Sequence, residues 1–203
     1  MLQLPTIETG TLELLKKLQE LPLLDNTRLV GGTALALQIG HRKSIDLDFF
    51  GEFNFEIQEL IDEIKEFAEI AILSESKNIH VYSINGIKVD FVNYKYPWLD
   101  KAVIEDGVVL ADIKDIAAMK VSAIIGRGTK KDFIDIAFLL QKFSLTEILD
   151  FYTSKYNDGS VFMALKSLTY FDDAENDIMP EMLLKKSWEQ VKKEITCKQP
   201  QAS

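Results

Sequence analysis

The stretch "GGTALALQIGHRKSIDLDFFG", residues 31–51, opens on two glycines and a threonine and closes on two aspartates, Asp46 and Asp48, set one residue apart in an apolar run. Gly31-Gly32 follows "RLV", which reads as the end of a short strand. It precedes "TALALQIG", a short helix with Thr33 at its start and Gly40 at its end. "SIDLDFFG" reads as the next strand, by its alternation and its aromatic end. Residues two apart in a strand project from one face, so Asp46 and Asp48 point together while Ile45, Leu47 and Phe49 point the other way. Two ionised carboxylates about 5 Å apart repel by roughly 3 kcal/mol at an effective dielectric near 20. A proton, a neighbouring cation or a bound metal has to offset that.

A third carboxylate comes from "IHVYSINGIKVDFVNY", residues 79–94, the clearest local signal in the chain. Two β-rich runs flank Asn85-Gly86, a pair that favours a type I′ hairpin, and Asp90 lies on the second run. Asp46, Asp48 and Asp90 together make a hard oxygen site suited to Mg²⁺, which keeps some waters and takes its remaining ligands from substrate phosphate. A D-x-D pair alone is also what a solvated sheet face carries. The glycine turn sharpens the reading, because glycine lets backbone approach a ligand closely and a helix N-terminus offers N–H groups to phosphate. A glycine pair alone makes ordinary tight turns; followed by paired acids it is far more specific.

The 203 residues suffice for one large domain or two small ones, with 47% apolar and 27% charged residues, an ordinary globular balance. The net charge of −9 argues against a general electrostatic grip on nucleic acid but allows a local one. Basic residues gather at His41-Arg42-Lys43 and at Lys120, Arg127, Lys130 and Lys131, clusters that are usually solvated surface. No apolar run has the length of a membrane span and no signal pattern follows Met1, so a cytoplasmic protein is expected. The single Cys197 excludes an internal disulfide, and two histidines make a Cys/His zinc site improbable.

Elsewhere, 7–21 and 57–70 read as amphipathic helices and "DGVVL" (106–110) as a short strand. From Asp112 onward the pattern is helical, over 112–126, 131–142, 144–155, 160–169 and 181–195. The expected organisation is an α/β domain over 1–110, a mixed sheet with flanking helices, then a helical domain over 111–203 that packs on it and completes the site. On a helical wheel of 112–127, Lys120 lies in the middle of the face formed by Ile113, Ile116, Ala117 and Ile124, with Arg127 near its edge. A lysine there snorkels to the surface or has a buried partner. Asp132 shares a face with Ile136, Leu139 and Phe143, so the two helices are expected to meet at a polar site, unless Asp132 is a helix cap. Lys131 and Asp135, four apart, read most simply as a surface ion pair.

Gly31-Gly32-Thr33, a short helix and "HRKSIDLDFF" resemble the nucleotidyltransferases of the AbiEii/AbiGii toxin family, relatives of the DNA polymerase β superfamily. The resemblance continues in "DIAAMKVSAIIGRGTKKDFIDIAFLL": Lys120 with Ala123, and Arg127, Lys131, Asp132 and Asp135, match the family's later motifs. It spans about residues 28–142; Thr33 stands where many members have serine, which keeps the hydroxyl. The resemblance implies a nucleotidyltransferase-like fold and a Mg²⁺-dependent transfer of a nucleoside monophosphate from an NTP, with two ions and Mn²⁺ as an alternative. Asp46, Asp48 and Asp90 would be metal-binding and catalytic, together with Lys120 and Asp132. Gly31, Gly32, Thr33, Lys120 and Arg127 would bind the nucleotide. It further implies the toxin of a bacterial toxin–antitoxin or phage-defence pair, a separately encoded antitoxin, and RNA, above all tRNA, as acceptor. Two alternatives stand beside it: transfer to a small hydroxyl compound such as an antibiotic, which the acidic charge favours, and a non-catalytic relative that binds nucleotide or a partner.

Overall fold

Strand alternation and turn chemistry set the first half of the chain. The computed structural model describes residues 1–198, which divide into two compact units. The first comprises residues 1–40, 44–96 and 101–111; the second comprises 41–43, 97–100 and the chain from 112 onward.

In chain order the first unit contains helix α1 (Thr9–Gln19), strand β1 (Thr27–Val30), helix α2 (Gly31–Ile39), strand β2 (Leu47–Gly51), helix α3 (Ile57–Lys65) and strands β3 (Ile70–Glu75), β4 (Ile79–Ile84), β5 (Ile87–Asn93), β6 (Val103–Glu105) and β7 (Val108–Leu110). The strands form one mixed sheet in the order β3-β4-β5-β2-β1-β7-β6. β2 pairs antiparallel with β1 and parallel with β5; a parallel neighbour needs a crossover, supplied by α3 and the strands after it. The β2–β5 register sets Leu47 against Val89, Asp48 against Asp90 and Phe49 against Phe91. Leu47, Phe49, Val89 and Phe91 are fully buried, and the rings of Phe49 and Phe91 stack at 5.5 Å. Period two then sends Asp48 and Asp90 together to the opposite face. The α/β architecture with a mixed sheet and flanking helices is as the sequence implies.

The Asn85-Gly86 turn has φ of 50° and 82°, the two left-handed residues of a type I′ hairpin. Asp106 and Gly107 repeat this at 53° and 77° and join β6 to β7, so in "DGVVL" the first two residues are the turn and Val108–Leu110 the second strand of a hairpin. The helix expected to 70 ends at Lys65, and the chain from Ile70 becomes the edge strand β3. β3 hid from pattern reading because nearly all of it is exposed, leaving no inside–outside alternation. The strand expected from Ser44 begins at Leu47, since β1, its antiparallel partner, ends at Val30 opposite Asp48. Asp46 therefore precedes the strand rather than belonging to it.

The second unit contains helices α4 (Ile113–Gly126), α5 (Lys130–Leu139), α6 (Leu145–Lys155), α7 (Val161–Leu168) and α8 (Trp188–Lys198). α4 packs against α5, α6 and α7, and is buried on more than one face. Asp112 caps α4, and Ser144 with Glu147 forms a capping box on α6. Lys155 and Asp115, both fully buried, pair at 2.6 Å. Lys155 also donates to Pro97 O at 2.8 Å, and Asp115 accepts from Leu99 N at 3.0 Å, so the pair pins residues 97–100. The helix expected at 181–195 begins seven residues later. Residues 181–184 instead bridge to residues 41–43 at Met182 and bend at Leu183–Leu184: Lys43 N donates to Glu181 O, and Leu183 N and Leu184 N both reach His41 O. Ser187 and Gln190 cap the true start reciprocally, through Gln190 N to Ser187 Oγ at 3.2 Å and Ser187 N to Gln190 Oε1 at 2.8 Å. Among the described residues, no helix is long and apolar enough to cross a membrane.

Two glycines separate backbone strain from crowding. A β-carbon at Gly86 would meet nothing within 4 Å, so Gly86→Ala should cost only the left-handed penalty of about 1–2 kcal/mol. A β-carbon at Gly51 would collide with the backbone of Asn26 and Thr27, so Gly51→Ala should cost about 3 kcal/mol or more. Urea unfolding of the two variants checks the order; an equal or reversed loss would contradict this register.

Candidate active site

The first cluster lies in the sheet unit. Gly31, with φ of 72°, turns the chain from β1 directly into α2, and a β-carbon there would collide with Asp48 Oδ2. Only glycine lets the start of the helix lie flush against that carboxylate. The N-cap residue of α2 is Val30, which has no side-chain acceptor, so that position gives the first amides of the helix no cap. Thr33 is buried, and its hydroxyl bonds the carbonyl of Asp46 and, at 2.9 Å, the hydroxyl of Ser44. It thereby braces the residues that lead into β2.

Asp90, in register with Asp48, is approached by Lys88 from the same strand face, with Nζ 2.6 Å from Asp90 Oδ1. That oxygen is buried and makes no hydrogen bond, so the contact is an ion pair outside hydrogen-bond geometry. Burial alone would lower the Lys88 pKa, but Asp90, helped by Asp48 and Asp46, more than offsets it and holds the ammonium above its ordinary value. Lys88 therefore stays charged among three acids. Sequence reading passed over it, although a lysine two residues before Asp90 must share its face.

The donor set fits a hard divalent ion. Adjacent carboxylates, one with a buried oxygen lacking a hydrogen bond, beside a helix start that would receive phosphate, suit Mg²⁺, which needs only one or two protein carboxylates. Among the described residues, no three Asp, Glu, His or Cys side chains are gathered closely enough to enclose an ion by themselves.

The second cluster lies in the helical unit. Lys120 is buried on α4 and pairs with two aspartates of α5, at 2.8 Å to Asp132 Oδ1 and 2.6 Å to Asp135 Oδ2. Asp135 also receives Arg42 through Nε at 2.7 Å and Nη2 at 2.9 Å, and His41 Nε2 at 2.7 Å. Asp132 receives Thr129 Oγ1 at 2.7 Å and Arg127 Nε at 3.3 Å, while the Arg127 side chain stays 69% exposed. Lys120 thus has the buried partner its helical position required, and the two helices meet at a polar centre. Thr129, not Asp132, is the N-cap of α5. Asp135 is not half of a surface pair with Lys131: it is fully buried, and Lys131 is exposed. Nor are His41 and Arg42 solvated surface; both are buried, and only Lys43 keeps a partly exposed pair, with Glu181.

Burial raises the Asp135 pKa, but Arg42, Lys120 and His41 overcome it and hold the carboxyl well below 3.8; Asp132 is lowered likewise, chiefly by Lys120. Burial lowers the Lys120 pKa, yet Asp135 and Asp132 raise it above its usual value. For His41 burial wins over Asp135, and its pKa falls below 6.5, so the ring is neutral at pH 7. Two cations and two anions then balance in the interior, with Arg127 at the margin.

A sequence model of the AbiEii nucleotidyl transferase toxin family, from type IV toxin–antitoxin systems, matches residues 13–106. An uncharacterised protein of Aquifex aeolicus, aq_aa25, is 36% identical over 185 residues, 88% of this chain and 89% of its own. Two solved structures share the fold. JHP933 from Helicobacter pylori aligns with a TM-score of 0.56 and 21% identity over 94% of this chain and 90% of its own. MenT4, a nucleotidyltransferase toxin from Mycobacterium tuberculosis, aligns with a TM-score of 0.55 and 16% identity over 93% and 84%.

Asp135→Asn should cost about 3–5 kcal/mol at pH 7, because it leaves buried cations short of their anion. With its folded pKa depressed, Asp135 contributes stability that is fully present above about pH 4 and lost as pH falls further. The gap between wild type and variant should therefore narrow between pH 5 and pH 3 in urea unfolding. A gap under 1 kcal/mol at pH 7, or one that does not narrow, would contradict the network.

Proposed function

This chain belongs to the AbiEii nucleotidyl transferase toxin family and is a nucleotidyltransferase, and from that premise we propose that it transfers a nucleoside monophosphate from an NTP to an RNA hydroxyl, with Mg²⁺ or Mn²⁺ as cofactor. One packing observation carries the reading: Gly31 leaves no room for a side chain against Asp48, so a helix N-terminus and a carboxylate pair adjoin. One feature binds phosphate and the other binds its counter-ions.

The amides of Gly31, Gly32 and Thr33 hold the triphosphate tail. Asp46, Asp48 and Asp90 would hold the metal, two ions by the family resemblance, which when bound would supply positive charge to the α-phosphate and the departing pyrophosphate. Asp90 accepts the proton of the acceptor hydroxyl as its oxygen bonds the α-phosphorus and the bond to the pyrophosphate oxygen breaks. Lys120 and Arg127 supply positive charge to the phosphates, and Asp132 orients Lys120. The biological role that follows is a cytoplasmic toxin restrained by a cognate antitoxin, in a toxin–antitoxin or phage-defence pair, and tRNA is the leading acceptor. The net charge of −9 favours a second acceptor class, a small hydroxyl compound.

Asp48→Asn tests the site. It removes one charge from a repelling set, so the variant should melt no lower than wild type in chelator, yet label transfer from NTP should fall by about a hundredfold or more. Transfer within a fewfold of wild type would remove Asp48 from the site. Binding of total RNA across a salt titration separates the acceptors: a steep slope supports RNA, and a flat, weak response supports the small hydroxyl compound.

A further inference from the structure

Lys88 has no part in the transfer just described, yet it occupies the acid cluster. It stands on β5 two residues before Asp90, on the same face, with its ammonium 2.6 Å from Asp90 Oδ1. That oxygen is buried and has no hydrogen bond to satisfy it, so the ammonium is its principal compensation. Asp48 lies beside Asp90 in register, and the charges of both Asp48 and Asp46 act on Lys88 as well. The lysine thus sits where the negative charge of the site is densest, which is also where a divalent ion gains most.

We propose that Lys88 is a resident counter-cation that competes with the divalent ion for Asp90 and so sets how tightly the ion binds before nucleotide arrives. This rests on the metal reading of Asp46, Asp48 and Asp90. An ammonium and a divalent ion on one carboxylate oxygen repel, so ion entry requires the ammonium to leave Oδ1. The side chain is 43% exposed on a flexible four-carbon stem and is free to swing. A triphosphate gives the displaced ammonium a new anion, so Lys88 couples ion loading to nucleotide loading. Without nucleotide, the site keeps its charges compensated by its own lysine and binds the ion weakly. With nucleotide, the same lysine becomes a phosphate ligand and the carboxylates are released to the metal.

The test is Mn²⁺ binding, read as loss of the free-ion EPR signal, in nucleotide-free protein and again with a non-hydrolysable triphosphate analogue. Lys88→Met should bind Mn²⁺ about tenfold tighter than wild type without nucleotide, and Lys88→Arg should resemble wild type. Adding the analogue should tighten Mn²⁺ binding more in wild type than in Lys88→Met, so the gap closes. Lys88→Gln, which keeps a polar head without charge, should behave as Lys88→Met. Thermal melts in chelator and in Mn²⁺ read folding independently, and Mn²⁺ should raise the melt of Lys88→Met more than that of wild type. If wild type binds Mn²⁺, Asp48→Asn abolishes that binding, and both uncharged variants bind no tighter than wild type, the competition is overturned while the metal site stands. If no variant binds Mn²⁺ with or without the analogue, the metal reading fails and the competition fails with it.

Discussion

Carboxylates on neighbouring strands repel one another, and a nearby cation relieves that repulsion. The β2–β5 register imposes that repulsion by setting Asp48 directly against Asp90, while the same register stacks Phe49 on Phe91 below. The two consequences are inseparable, because alternation that buries the aromatics must turn the aspartates to the opposite face. Slipping either strand by one residue would bury the acids and expose the rings. The hydrophobic core therefore fixes the geometry of the acids, and the repulsion between them makes a cation part of the site. Gly31 completes the arrangement by bringing a helix start against Asp48.

The helical unit answers the same electrostatic problem differently. There Asp132 and Asp135 are compensated permanently, by Lys120, Arg42 and the hydroxyl of Thr129, with His41 donating from a neutral ring. Asp132, Asp135, Lys120, Arg42 and His41 are all buried, so removing one charged member strands the others at a cost well above that of a surface pair. In the sheet unit the compensating lysine is half-exposed, and its contact with Asp90 lacks hydrogen-bond geometry. A permanent cluster gives rigidity, whereas a loosely held cation leaves room for exchange. A site that must admit ions needs the second kind.

Much of this was legible in the sequence where short-range chemistry decides the outcome. Asn85-Gly86 declared its hairpin, Gly40 its helix end with φ of 71°, and Lys120 its need for a buried partner, because an ammonium in the middle of an apolar helix face allows few alternatives. The sequence was silent where long-range partners decide. His41 and Arg42 look like exposed basic residues until α5 presents Asp135, ninety-odd positions away, to bind them. The 181–184 segment carries helical spacing yet is held in a bridge and bend by the backbone of residues 41–43. Ser187 and Gln190 did carry a local signal for the true helix start, and so did Asp106-Gly107 for the second hairpin; both are short motifs that a search for long periodic runs passes over.

The central claim is nucleotidyl rather than phosphoryl transfer, and the position of the label in the nucleotide decides it. Wild-type protein should be incubated with Mg²⁺, total RNA and each NTP labelled either at the α- or at the γ-phosphate. The account predicts label in RNA from the α-labelled nucleotide alone, with pyrophosphate released in equal amount, because the acceptor oxygen attacks the α-phosphorus and both outer phosphates leave. Label in RNA from the γ-labelled nucleotide would mean that the terminal phosphoryl group moves instead, and would contradict the account.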